Sequence, residues 1–220
     1  MNFKIKRPNW LEEIKVLVWD LDGTLYKEIP QMKKEIHKNA VNLVKKAQAV
    51  SSKKAAEMFS KTYQQTKSNS LALVKLGVNR EEVLKGDWYN LAQLKYLQSD
   101  SHLPLLFKKL KGLIHIIDTN SNRQAAFKKL KILGLSPKIF AKIFTSTDMQ
   151  TRVKPDPFAF KIVLRFTGLK AYQHLFIGDS EGKEVIPAKK LGFHTCFVWG
   201  RSREADISLP TVYELARLFK

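Results

Sequence analysis

The chain has 220 residues, 44% of them hydrophobic, enough for one core domain of ordinary size plus an insertion of several helices. It contains no run of 18 apolar residues, and residues 1–10 carry Lys4, Lys6 and Arg7 without the apolar stretch of a signal peptide, so a spanning helix is excluded and a soluble, cytoplasmic protein is expected. Against 20 Asp and Glu stand 39 Lys and Arg, a net charge of +19 that suggests attraction to polyanions such as nucleic acid, anionic membrane or phosphorylated substrates. The excess is spread along the chain: residues 1–26 hold 4 basic and 4 acidic residues, 27–104 hold 14 and 7, and 105–220 hold 21 and 9. With no basic tail or Arg-rich block, nucleic acid is a possible but not a favoured partner, and no membrane partner is expected. The single Cys196 lies in the apolar run Thr195 to Trp199 and reads as a small core residue.

Taken in chain order, the first element is Ile14 to Trp19, an apolar run rich in β-branched residues that ends at Asp20 and the turn-forming pair Asp22-Gly23, and it reads as a buried strand. Ile36, Ala40, Leu43, Val44 and Ala47 then recur at helical spacing with lysines between them. A second helix is predicted from about Ser52, with Ala56, Phe59 and Tyr63 on its buried face. Asn79 followed by Glu82 marks a capped helix start, and Leu91, Leu94 and Leu97 mark a further helical face. From Lys27 to about Asp100 no strand is predicted.

Beyond Pro104, which opens a short helix ended by Gly112, strand and helix alternate. Strands are predicted at Leu113 to Ile117, Ile143 to Thr145, Leu175 to Gly178 and, last, Thr195 to Trp199. Helices are predicted from Arg123 to Gly134, Phe158 to Phe166 and Glu184 to Gly192. Such repetition predicts a doubly wound parallel α/β sheet, a Rossmann-like core, formed by residues 1–26 and 101–220 with residues 27–100 as an inserted α-helical cap. Ligands bind such sheets at the carboxyl ends of the strands.

Four segments fall on that rim: Asp20-Leu21-Asp22-Gly23-Thr24-Leu25, Asp118-Thr119-Asn120-Ser121, Lys154-Pro155-Asp156-Pro157 and Gly178-Asp179-Ser180-Glu181-Gly182-Lys183-Glu184. Taken singly they are bland. Asp-x-Asp-Gly can be a strand and its turn, Thr119 an N-cap, Lys154-Pro155 a surface turn and Asp118 a rim residue without a catalytic part. Together, in this order and spacing, they make the chain resemble the haloacid dehalogenase-like hydrolases over nearly its whole length, in the subgroup whose helical cap lies between the first and second motifs.

The resemblance implies that Asp20 attacks phosphorus to form an aspartyl phosphate, while Asp22 protonates the leaving group and later deprotonates water. It implies Mg²⁺ held by Asp20, the backbone carbonyl of Asp22, Asp179 and Glu184, with Thr119 and backbone N–H groups around Asn120 binding the phosphoryl oxygens. Elementary chemistry agrees with that assignment. Hydrolysis of a phosphate monoester needs up to roughly 10²¹-fold acceleration, and a carboxylate can attack an anion only beside a divalent cation and a fixed positive charge, here Lys154. Asp22 argues for phosphoryl chemistry, since displacing halide needs no general acid. The sequence departs from the family pattern at Lys183-Glu184, where Asp or Asn-Asp is usual, and a shifted metal affinity is expected there.

The histidines His37, His102, His115, His174 and His194 pair with no cysteine at metal-ligand spacing, which speaks against zinc, and His115 reads as a hydrogen-bonded core residue. Trp88, Tyr89 and Tyr96 read as packing residues of the cap, whereas Tyr26, directly after the first motif, is placed to stack on a substrate base or sugar. The expected substrate is a small phosphorylated metabolite, a nucleotide or a sugar phosphate. A basic nucleic-acid-binding module and a phosphosugar mutase stand as alternatives.

Overall fold

A computed structural model of the chain describes residues 7–66, 68–149 and 152–219. They divide into two compact units, one of Met1–Lys27, Ser99–Asn120 and Leu130–Lys220, the other of Glu28–Gln98 and Ser121–Lys129. Two of these cuts, after Lys27 and after Gln98, lie within two residues of the expected boundaries, but the stretch Ser121–Lys129, expected in the core, groups with the helical unit.

The first unit is a six-stranded parallel sheet in the order β3-β2-β1-β4-β5-β6. Its strands are β1 (Val16–Trp19), β2 (Ile114–Asp118), β3 (Lys142–Phe144), β4 (His174–Gly178), β5 (His194–Val198) and β6 (Ile207–Leu209). Because β2 and β3 lie on one side of β1 and β4 to β6 on the other, the winding reverses at β1, and a crevice forms at its carboxyl end. The register aligns Trp19 with Ile117 on one side and Ile177 on the other, so the residues that follow these strands emerge at one level.

Alternation along β1 sends Val16 and Val18 to a face packed with Ile116, Phe144 and Phe176 against Ala159, Phe160 and Val163 of α8 (Pro157–Thr167) and Ala188 of α9 (Ile186–Lys190). Trp19 takes the opposite face, its ring centroid 5.0 Å from that of Phe107 in α6 (His102–Lys109), while its Nε1–H donates to His115 Nδ1 at 3.2 Å. His115 Nε2 lies 3.1 Å from the Leu110 carbonyl, and burial holds its pKa down, so it is a neutral core residue. Cys196 is likewise buried, which pushes its thiol pKa up. The helix α7 (Arg123–Ile132) follows β2, and α8 opens on Asp156, whose carboxylate accepts from Phe158 N–H at 2.8 Å, and closes on Gly168 at φ 66°.

The second unit holds α1 (Pro30–Gln48), α2 (Ser52–Thr66), α3 (Asn69–Lys75), α4 (Arg80–Lys85) and α5 (Asp87–Tyr96), and no strand among its described residues. Its core joins Ile36, Ala40 and Val44 to Phe59, Leu73, Val83 and Trp88. Asn79 caps α4 by accepting from Glu81 and Glu82 N–H. Two predicted faces differ. Tyr63 is 41% exposed, and α2 buries Ala55, Phe59 and Thr62 in its place. Leu91 is 62% exposed, because α5 turns Trp88, Ala92, Asn90 and Gln93 inward. The two polar residues have a purpose: Lys129 Nζ donates to Gln93 Oε1 and, at 2.9 Å, to Asn90 Oδ1, and at 2.8 Å to Ser121 Oγ. A buried ammonium must be hydrogen-bonded, and this need draws Ser121–Lys129 into the helical unit.

Two further differences concern the sheet. Thr195 to Trp199 is expected to end it, yet β6 follows, a three-residue edge strand too short for alternation to be visible in sequence. The helix expected from Glu184 begins instead as a π-helical turn over Glu181–Val185, and α9 starts at Ile186 with Pro187 in its first turn. Among the described residues no helix is long and apolar enough to cross a membrane.

Candidate active site

Asp20 continues β1, its N–H donating to Ile177 O at 2.9 Å, so the strand ladder itself aims the carboxylate over the sheet edge. The side chain is buried, with Oδ1 accepting from Lys154 Nζ at 2.8 Å and Oδ2 from Thr24 Oγ1 at 2.9 Å. Gly23, at φ 87°, turns the chain where the Asp179 carboxylate lies against it, and a Cβ there would collide with that carboxylate. Trp199 Nε1–H, from just beyond β5, donates to Thr24 O at 2.9 Å and braces the same turn.

Lys154 is the hub. Its three ammonium protons go to Asp20 Oδ1 at 2.8 Å, Asp118 O at 2.8 Å and Glu184 Oε1 at 3.0 Å. Its backbone is gripped twice by one amide: Asn120 Nδ2 donates to Lys154 O at 2.9 Å, and Lys154 N–H donates to Asn120 Oδ1 at 3.0 Å. Burial alone would lower the Lys154 pKa, but Asp20, Glu184 and Asp118 outweigh it and hold the lysine charged. Glu184 also accepts from Asp179 N–H and Ser180 N–H, both at 3.1 Å on Oε2, so its longer arm folds back onto the end of β4.

Asp20, Asp179 and Glu184 each bring one carboxylate oxygen within 4.8 Å of the others. Burial first, then the carboxylates of Glu184, Asp179 and Asp22, raise the Asp20 pKa well above its usual range against the lowering effect of Lys154. Three carboxylates around one ammonium leave two negative charges to balance, a donor set that fits a hard divalent cation with oxygen ligands.

The first, third and fourth motifs therefore meet around Lys154, and the second motif reaches it through Asn120 and the Asp118 carbonyl. Thr119 is buried beside them, its N–H donating to Phe144 O at 3.0 Å. Tyr26 departs from expectation. It is only 7% exposed, and its hydroxyl donates to Asp22 Oδ1 at 2.6 Å, so the ring is packed and is no platform for a substrate base or sugar. The sequence reading gave Thr24 no role and placed Asn120 at the phosphoryl oxygens, whereas the structure ties Thr24 to the Asp20 carboxylate and the Asn120 side chain to the backbone of Lys154. The four-residue spacing of Thr24 from Asp20 was a local signal, whereas the grip of Asn120 on Lys154 joins residues 34 apart.

Comparison with known proteins places this geometry. The profile of a family described as haloacid dehalogenase-like hydrolase matches residues 14–192. The fold is shared with a HAD phosphatase from Thermococcus onnurineus (TM-score 0.66, 22% identity, 94% of this chain and 98% of that one) and a predicted phosphoglycolate phosphatase from Haemophilus somnus (0.65, 19%, 94% and 99%). It is also shared with a 2-haloacid dehalogenase from Pseudomonas syringae (0.58, 20%, 94% and 98%). A sequence search of curated proteins gave no match. With strand-end carboxylates and a buried lysine on a parallel sheet, and a family profile covering most of its length, the chain belongs to the haloacid dehalogenase-like hydrolases.

Proposed function

We propose that this hydrolase is a magnesium-dependent phosphatase that cleaves a small phosphomonoester through an aspartyl phosphate on Asp20. The observation that carries the reading is the Asp22 carboxyl, two residues beyond the nucleophile and tied to Tyr26, because a proton donor at that place serves an alkoxide leaving group and has no use in displacing halide. In the first step an Asp20 oxygen forms a bond to phosphorus as the bond from phosphorus to the leaving oxygen breaks, and Asp22 passes its proton to that oxygen. In the second, water attacks phosphorus, its proton returns to Asp22, and the bond to Asp20 breaks to release phosphate.

Lys154 cancels part of the repulsion between Asp20 and the phosphoryl group, and Thr119, with backbone N–H groups around Asn120, donates to the phosphoryl oxygens. Asp20, Asp179 and the Asp22 backbone carbonyl, with Glu184 anchoring Lys154 beside them, would hold Mg²⁺, which supplies neutralisation of the charge gathered there. The helical unit is the cap of this reading, and it chooses between nucleotides and sugar phosphates.

The test is release of inorganic phosphate from a panel of nucleotides and sugar phosphates with Mg²⁺, alongside halide release from 2-haloacids, by the parent and Asp20→Asn. The parent is expected to release phosphate and the variant to lose at least about 10³-fold in rate. Halide release without phosphate release overturns the reading in favour of a dehalogenase. Isomerised sugar phosphate in place of free phosphate points to a mutase, and salt-sensitive nucleic-acid binding without turnover to a binding module.

A further inference from the structure

Thr24 is fully buried, so its carbonyl must find a donor inside the protein, and that donor comes from far along the chain: Trp199 Nε1–H donates to Thr24 O at 2.9 Å across 175 residues. Thr24 Oγ1 in turn donates to Asp20 Oδ2 at 2.9 Å. The turn between them, closed by Leu25 N–H on Leu21 O at 3.1 Å, contains Gly23 at φ 87°, and glycine leaves a backbone more freedom than any other residue. Trp199 itself has φ 65°, a left-handed conformation that a bulky side chain seldom adopts and that persists only where the surroundings impose it. Against its indole stands Tyr213, ring centroids 5.8 Å apart and planes at 83°, and the Tyr213 hydroxyl donates to Asp100 Oδ2. Tyr213 belongs to a 3₁₀ helix, Val212–Arg217, and both aromatic residues lie beyond residue 192, where the match to the family profile ends.

We infer that Trp199 is a positioning residue for the nucleophile: its indole N–H fixes the backbone at Thr24, and Thr24 thereby sets the plane of the Asp20 carboxylate beyond the end of β1. Its chemistry rests on the reading of Asp20 as the attacking group, whereas the contacts are those of the folded chain whatever the reaction. A carboxylate oxygen attacks along a defined line, and a misplacement of about 1 Å caused far from the reacting atoms can cost about 10²-fold in rate. Thr24 is β-branched and has few rotamers, so a shift of its backbone is passed on to Oγ1 and not absorbed within the side chain. The strain at Trp199 answers the same demand. The strand β5 ends at Val198, and the left-handed residue directly after it is the one whose indole reaches Thr24.

The experiment removes the donor and keeps an aromatic ring. Trp199→Phe, Thr24→Val and the double variant are compared with the parent for release of phosphate from p-nitrophenyl phosphate with Mg²⁺, at equal concentrations of folded protein. Trp199→Phe is expected to lose about tenfold or more in kcat with KM within about twofold of the parent, the pattern of a group that serves attack and not binding. The double variant is expected to match Thr24→Val within about twofold, because Trp199 has nothing left to position once the Thr24 hydroxyl is gone. Losses that multiply in the double variant, as separate damage to the fold would give, overturn the positioning role, and so does an unchanged kcat in Trp199→Phe. The second arm is the crystal structure of Trp199→Phe without substrate, in which the contact of Thr24 Oγ1 with Asp20 Oδ2 is expected to open beyond about 3.5 Å. An unchanged contact overturns the role even if the parent releases no phosphate, a result that by itself counts only against the phosphatase reading.

Discussion

Asp118 ends β2 with both carboxylate oxygens buried and without a hydrogen-bond partner among the described residues. Burial first, and Glu184 second, raise its pKa from 3.8 to about 7 against the lowering effect of Lys154, so near neutral pH it is a proton-holding group facing one cation and one anion. Its folded-state pKa lies above its unfolded value. The stability linked to it is therefore fully present below the unfolded pKa and is lost as pH rises through about 7, by an amount on the order of 4 kcal/mol at most. Asp118→Asn, which copies the protonated shape, is expected to melt close to the parent at pH 4 and above it at pH 8. Parallel melting curves across that range would falsify the assignment. The same residue marks a limit of the Lys154 hub, whose three protons are already spent on Asp20, Glu184 and the Asp118 carbonyl, leaving the Asp118 carboxylate unserved.

At the scale of elements, the turn after β4 explains how a Glu works at the end of the fourth motif. Val185 N–H reaches back five residues to Ser180 O at 3.2 Å, and this wider π turn gives Glu184 room to curl its carboxylate onto Asp179 N–H and Ser180 N–H. Gly178 makes the approach possible, because a Cβ there would occupy the place of Glu184 Oε2. Gly178→Ala is expected to expel that carboxylate and lose two charge-assisted hydrogen bonds, together about 2 to 4 kcal/mol, seen as a fall in thermal midpoint of about 5 °C or more. Gly182→Ala, in the same turn but with nothing within 4 Å of an added Cβ, serves as the control and is expected to be neutral or slightly stabilising. Equal behaviour of the two variants would remove Glu184 as the reason for the glycine.

For the whole molecule the dominant quantity is the net charge of +19. Surface pairs such as Lys95–Glu35 and Lys189–Asp206 each match one lysine with one carboxylate, and many of the described lysines lie on exposed faces of both units. Self-repulsion of that size opposes compactness, and salt screens it, shortening the Debye length from about 30 Å at 0.01 M to about 10 Å at 0.1 M. The thermal midpoint is therefore expected to rise by several degrees between those concentrations of sodium chloride, as read by circular dichroism. A falling midpoint would mean that the ion pairs outweigh the repulsion.

The sequence by itself determined the parallel α/β core, the helical insertion, the motifs at the strand ends and the place of His115 in the core, because period, β-branching and turn residues act within a few positions of themselves. It also carried the family, since the four motifs are contiguous words. Only the tertiary structure decided what those words touch. Tyr26 turns to Asp22 and not outward, because packing of its ring outweighs exposure; Asn120 spends its amide on the backbone of Lys154, 34 residues on. Asn90 and Gln93 face inward, against the leucine spacing of α5, because Lys129 needs acceptors, and β6 pairs where three residues alone carry no pattern. For Asn120, Asn90, Gln93 and β6 the deciding energy comes from a partner distant in sequence, above all from the cost of leaving a buried charge or donor unmatched, and that partner exists only once the chain has folded.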